Sequence, residues 1–126
     1  MADQTFNQCR ILVVEDEYLL ADELATELAD EGATVLGPAP TVERAMALLE
    51  APPLPHGAIL DLNLGGEPAF PVADALIELG VPLIFTTGYD NAAIPERFAS
   101  VPTCEKPISI ARVTAALSGA IHARSA

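Results

Sequence analysis

The chain has 126 residues, 51% of them hydrophobic, with 18 acidic against 6 basic side chains and a formal net charge of −12. That length suits one hydrophobic core, and the apolar fraction is too high for a disordered acidic chain. The charge argues against direct binding of nucleic acid or of an anionic membrane surface, and favours a basic protein partner or a bound cation.

In chain order, 11–14 (ILVV) is a short apolar run that reads as a strand. Residues 18–31 follow as a helix, with Leu20, Leu24 and Leu28 at i, i+4 spacing and Gly32 closing it. Thr34-Val35-Leu36 is a second strand, and Thr41 is placed to cap a helix running to Leu49. Ala58-Ile59-Leu60 forms a third strand ending at Asp61, and a helix spans 70–79 up to Gly80. Residues 83–86 are a fourth strand and 101–105 a weaker fifth. The last helix covers 108–123, with Ile110, Val113, Leu117 and Ile121 on one face. Prolines fall at the junctions, where they break no ladder. Pro95 is the exception, and it makes any helix over 90–99 short or irregular.

Strands alternating with helices predict an α/β fold, a (βα)5 doubly wound parallel sheet with helices on both faces. Ligands of such sheets bind beyond the carboxyl ends of the strands. Those ends carry Glu15 and Asp16, Asp61, Thr87 and Lys106, the only lysine in the chain. Converging carboxylates call for a divalent cation, and oxygen donors suit Mg2+ or Mn2+. An aspartate beside such a cation can accept a phosphoryl group, with a lysine and a hydroxyl to hold its oxygens. Each residue taken alone has an ordinary reading: helix-start acids, turn residues, a solvated lysine. Their shared position at successive strand ends favours the site.

Cys9 and Cys104 are far apart and lack zinc-site spacing. The N-terminal residues lack the pattern of a secretory signal, and no apolar stretch is long enough for a membrane span, so a cytoplasmic location is expected.

The stretches ILVVEDE at 11–17, AILDLNLGG at 58–66, IFTTGY at 84–89 and EKP at 105–107 resemble a bacterial two-component response-regulator receiver domain over nearly the whole chain. The resemblance implies a flavodoxin-like sheet of order 2-1-3-4-5 and Asp61 as the phosphorylated residue. It implies Asp16 and Asp61 as direct Mg2+ ligands, Glu15 acting largely through water, and the backbone carbonyl of Asn63 as a further ligand. Thr87 becomes the switch hydroxyl, Lys106 the phosphate partner, and the Lys106–Pro107 bond is expected to be cis. Asn63, Gly88 and Tyr89 stand where the family tunes phosphoryl hydrolysis.

Two departures accompany the match. The usual methionine-proline pair after the phosphorylated aspartate is replaced by Leu64-Gly65-Gly66-Glu67-Pro68, and the usual aromatic switch position is Thr103. Phe85-Thr86-Thr87-Gly88-Tyr89 resembles the "FAT GUY" subset of single-domain receivers, several of which act in general stress signalling. Tyr89 or the segment 90–100 is then the candidate switch element.

Residues 15–31 hold eight acids and no base, either a solvated face or a docking surface for a histidine kinase near Leu19, Asp22 and Glu23. The expectation is one receiver domain over 1–126, with a core of about 9–123 and no output domain. It would take phosphate from a sensor histidine kinase or phosphotransfer protein and signal by protein contact or act as a phosphate sink. It would be an enzyme only in promoting its own phosphorylation and dephosphorylation. The alternative is a Mg2+-dependent phosphatase or phosphotransferase of haloacid-dehalogenase type, which needs an acid where this chain has Asn63.

Overall fold

The computed structural model describes residues 6–88 and 94–125. The main sheet holds β1 (Arg10–Val14), β2 (Thr34–Ala39), β3 (Gly57–Asp61), β6 (Leu83–Thr87) and β7 (Thr103–Glu105). Its order is β2-β1-β3-β6-β7, with every pairing parallel. Counting only these five strands, that is the expected 2-1-3-4-5 order. The helices are α1 (Tyr18–Asp30), α2 (Val42–Leu48), α3 (Phe70–Glu78) and α4 (Ile110–Ser125). Among the described residues no helix is long and apolar enough to cross a membrane.

Successive strand residues point to opposite faces, and here both faces are covered. Leu12, Val14, Leu60 and Phe85 pack with Ala45 of α2 and Val72 and Leu76 of α3. Ile11, Val13, Ile59 and Ile84 pack with Leu24 and Leu28 of α1 and Val113 and Leu117 of α4. Every residue of β3 and β6 is buried, and their apolar runs lead to Asp61 and, through Thr86, to Thr87. The two cysteines are free and half-buried.

Several boundaries differ from the sequence expectation. β2 runs on past Leu36 to Ala39, through Pro38. It can do so because it is an edge strand. Leu12 pairs with Leu36 but Val14 with Ala39, so one extra residue is accommodated on β2. Gly37 takes it up at φ +93°, where an added Cβ would lie 2.7 Å from Ala39 N and 2.9 Å from Val13 O. After β3 the chain forms an unexpected hairpin, β4 (Asn63–Leu64) against β5 (Glu67–Pro68). Gly65 (φ +62°) and Gly66 (φ +96°) supply its two-residue turn, the backbone that a type I′ hairpin requires. Among the described residues of the region interrupted by Pro95, 94–99, the chain forms a 3-10 turn, Glu96–Phe98. The Phe98 ring takes over the packing a helix would provide, centred 5.4 Å from Phe70 in a stack and 5.6 Å from Phe85 edge-on.

Thr41 caps α2 as expected, its Oγ1 accepting a 3.1 Å bond from Arg44 N. Thr41→Ala is expected to cost about 1 kcal/mol, and a thermal melt should show the midpoint falling by about 3–5 °C. No change would mean that the cap is already satisfied by solvent.

Candidate functional site

The carboxyl ends of β1, β3, β6 and β7 bring the expected residues together. Glu15 and Asp16 leave β1, Asp61 ends β3, Thr87 ends β6, and Lys106 follows β7. The last two ends are tied by a 2.7 Å bond from Lys106 N to Thr87 O. Glu15, Asp16 and Asp61 each present a carboxylate oxygen within 4.8 Å of the others. Glu15 and Asp61 are buried, and Asp16 is exposed.

Lys106 organises this cluster. Its Nζ donates to Asp61 Oδ2 at 2.9 Å and to Glu17 Oε1 at 3.1 Å, and lies 3.4 Å from Glu15. Burial pushes the Glu15 carboxyl up to about 8; a bond from the Glu17 backbone N–H and the charge of Lys106 pull the other way, while Asp61 adds to the rise. Desolvation lowers the Lys106 ammonium, but the bond to Asp61 and the charges of Asp61 and Glu15 outweigh it and hold it above the ordinary lysine value. The site is therefore a buried anionic pocket held together by cationic charge.

The donor set fits a hard divalent ion. Three carboxylates converge, and Oε1 of Glu15 is buried with no hydrogen bond, its charge met at 3.4 Å by the Lys106 ammonium that Asp61 also shares. Asn63 lines the same cleft, a cavity of about 490 Å³ bounded by Asp16, Asp61, Thr87, Gly88 and Lys106 on its polar side. Pro68, Phe70 and Ile94 form the apolar side. Among the described residues the hydroxyl of Thr87 donates to the Gly88 carbonyl at 3.5 Å, a long bond, and Thr87 lines the cleft. The Lys106–Pro107 bond is cis.

No protein-family model matches the sequence. The chain is similar to the phyllosphere-induced regulator PhyR of Methylorubrum extorquens, 33% identical over 119 residues, which take in 88% of this chain and 43% of that protein. It thus spans less than half the length of this curated relative. Among solved structures, SdrG of Sphingomonas melonis is 37% identical with a TM-score of 0.68, over 86% of this chain and 94% of that one. The response regulator PhyR of Brucella abortus is 26% identical with a TM-score of 0.75, over 97% of this chain and 52% of that one. A response regulator receiver protein of Sinorhizobium medicae shares the fold at 22% identity, with a TM-score of 0.78 over 92% and 96% of the two chains. The chain belongs to the response-regulator receiver family.

Further contacts surround the site. Asn63 N donates to Asp61 Oδ1 at 3.2 Å, while Asn63 Oδ1 accepts from Gly66 N at 2.7 Å. The Asn63 side chain thus braces the glycine turn of the hairpin. Thr103 is exposed, and its Oγ1 donates to the Val101 carbonyl at 3.3 Å. Among the described residues Phe70 is the aromatic that lines the cleft, and it stacks on Phe98, which meets Phe85 edge-on. Tyr89, the candidate switch ring, lies outside the described residues, as do 90–93. Leu19, Asp22 and Glu23 are exposed on α1, and Leu19 is joined by Tyr18, 77% and 83% exposed respectively. Leu19, Leu20 and Glu23 face Pro107 and Ile108 across a shallow groove.

Sequence reasoning missed Glu17. It counted as one of the acids of α1, yet it sits at the N-cap of that helix, makes no side-chain capping bond, and reaches Lys106. The only signal was a third acid directly after the Glu15-Asp16 pair.

Proposed function

We propose that this receiver accepts a phosphoryl group on Asp61 in a Mg2+-dependent reaction, from a histidine kinase or phosphotransfer protein, and passes the signal on by protein contact. The observation that carries the reading is the convergence of Asp61 with Glu15, Asp16 and Lys106 at the strand ends. One oxygen of Asp61 attacks the phosphorus; the new O–P bond forms as the P–N bond to the donor imidazole breaks, and the electron pair leaves with that ring. Glu15, Asp16, Asp61 and the Asn63 carbonyl would hold the ion, whose chemistry is to neutralise charge on the transferred oxygens. Lys106 and Thr87 would bind those oxygens from the other side.

The donor docks on α1 in this reading. The groove beside Leu19 and Leu20 offers apolar contact, and Asp22 and Glu23 steer a basic surface, with an association rate that falls as salt rises. The PhyR and SdrG likenesses and the Phe85–Tyr89 motif support placement in the "FAT GUY" subset and in stress signalling. Weak self-phosphorylation from small phosphodonors and autodephosphorylation belong to the same reading.

The test is incubation with acetyl phosphate and Mg2+, followed by intact-mass measurement. One phosphoryl group is expected, stable in acid, labile in alkali, and absent when EDTA is added. Uptake that ignores EDTA, or a product stable in alkali, would show that the modification is not a metal-assisted acyl phosphate.

A further inference from the structure

We propose that Glu17 is a positioning residue for phosphoryl transfer: its carboxylate holds the Lys106 ammonium before the reaction and gives it up once Asp61 is phosphorylated. This rests on the phosphoacceptor reading above and adds a residue to it.

An ammonium has three donors. Those of Lys106 face three carboxylates, Asp61 at 2.9 Å, Glu17 at 3.1 Å and Glu15 at 3.4 Å. A phosphoryl group on Asp61 turns that carboxylate into an uncharged acyl group and brings new anionic oxygens to the same place; the donor that Asp61 frees can meet one of them, and Lys106 can meet a second only by releasing Glu15 or Glu17. The three partners are not equally easy to release. The side chains of Glu15 and Asp61 are 1% and 4% exposed, whereas that of Glu17 is 60% exposed. Freed from the lysine, Glu15 would stay buried, out of reach of bulk water and with the Glu17 N–H as its hydrogen-bond donor, which is costly, while Glu17 would simply be rehydrated.

Local backbone geometry fits a bond that is built in and releasable. Glu17 occupies the N-cap of α1 with φ −78° and ψ 110°, and its own N–H donates to Glu15 Oε2 at 2.9 Å. That bond fixes the backbone of the residue while its side chain crosses to Lys106 instead of capping the helix. Glu17 thereby ties the first turn of α1, with exposed Tyr18 and Leu19, to the lysine at the end of β7. Transfer of a phosphoryl group loosens that tie at the face where a donor would dock.

The composition supplies the probe. Lys106 is the only lysine, so lysine labelled with 13C and 15N gives one set of side-chain resonances in the full chain. These are recorded for wild type and Glu17→Gln with Mg2+, before and after acetyl phosphate, with the intact mass of each sample. Before phosphorylation the Glu17→Gln resonances should differ from wild type; afterwards the two sets should coincide. Phosphorylation of Glu17→Gln should be faster by up to about fivefold, the range of a partly exposed ion pair. Added salt should narrow that gap, and Glu17→Asp, which keeps the charge, should stay closer to wild type. Coincident resonances before phosphorylation, or an equal separation before and after, would overturn the proposal. If wild type takes up no phosphoryl group, the phosphoacceptor reading itself fails and the release step falls with it, an outcome the mass alone identifies.

Discussion

Asp61→Asn is expected to abolish Mg2+-dependent uptake of a phosphoryl group from acetyl phosphate. The replacement is nearly isosteric, so β3 and its neighbours should keep their packing. Its amide lacks both the nucleophilic anion and one of the three converging negative charges. Two losses therefore coincide. Lys106 loses the anionic acceptor it meets at 2.9 Å and keeps Glu15 and Glu17 as charged partners, and the cation site drops to two carboxylates. Mg2+ affinity measured by calorimetry should fall in the same variant. An unchanged circular dichroism spectrum would show that the loss is chemical. Equal uptake by wild type and Asp61→Asn would move the acceptor to another residue, with the Thr87 hydroxyl next in reach of the cleft.

Much of this site was legible in the sequence because it lies where buried parallel strands end. Apolar runs such as 58–60 and 83–85 have to stop at the surface, and whatever follows them shares one edge of the sheet. Asp61, Thr87 and the Glu15-Asp16 pair were therefore placed by strand pattern alone, whereas the order of the sheet came with the family resemblance. Contacts that depend on side-chain reach were not legible. That Glu17 turns away from capping α1 to meet Lys106, 89 residues on, is set by the fold and by no local pattern. The β4–β5 hairpin had a signal that passed unread: two adjacent glycines between short flanks favour a two-residue turn. The end of β2 was misjudged for a related reason. Proline was taken as a stop, yet an edge strand with Gly37 at positive φ admits Pro38.

Pro95 was read correctly as a helix breaker, but what replaces the helix could be learned only from packing. That yields a second large effect: Phe98→Ala is expected to destabilise the domain by about 3–5 kcal/mol, the usual cost of emptying a buried phenylalanine site. Phe98 is 1% exposed, lies against Phe70 and Phe85, and belongs to the core cluster on the α2 and α3 face. Arg97 stacks at 4.5 Å over the same ring while pairing with Asp74 of α3 in a two-bond contact. That pair is exposed on both sides, so the ring is the main attachment of the 3-10 turn. Against a total stability on the order of 5–15 kcal/mol, the loss is a large fraction. Urea unfolding should show it as a lower midpoint with little change in slope. Phe98→Leu, which keeps most of the volume, should lose about 1.5 kcal/mol or less. A cost below about 1 kcal/mol for Phe98→Ala would mean that the 3-10 turn opens independently of the core. Because Phe70 stacks on Phe98 and also lines the cleft, Phe98→Ala should loosen the apolar wall of the site while leaving the carboxylates on β1 and β3 in place. Phosphorylation by acetyl phosphate should accordingly survive, at a temperature where the variant is folded, in contrast to the total loss in Asp61→Asn.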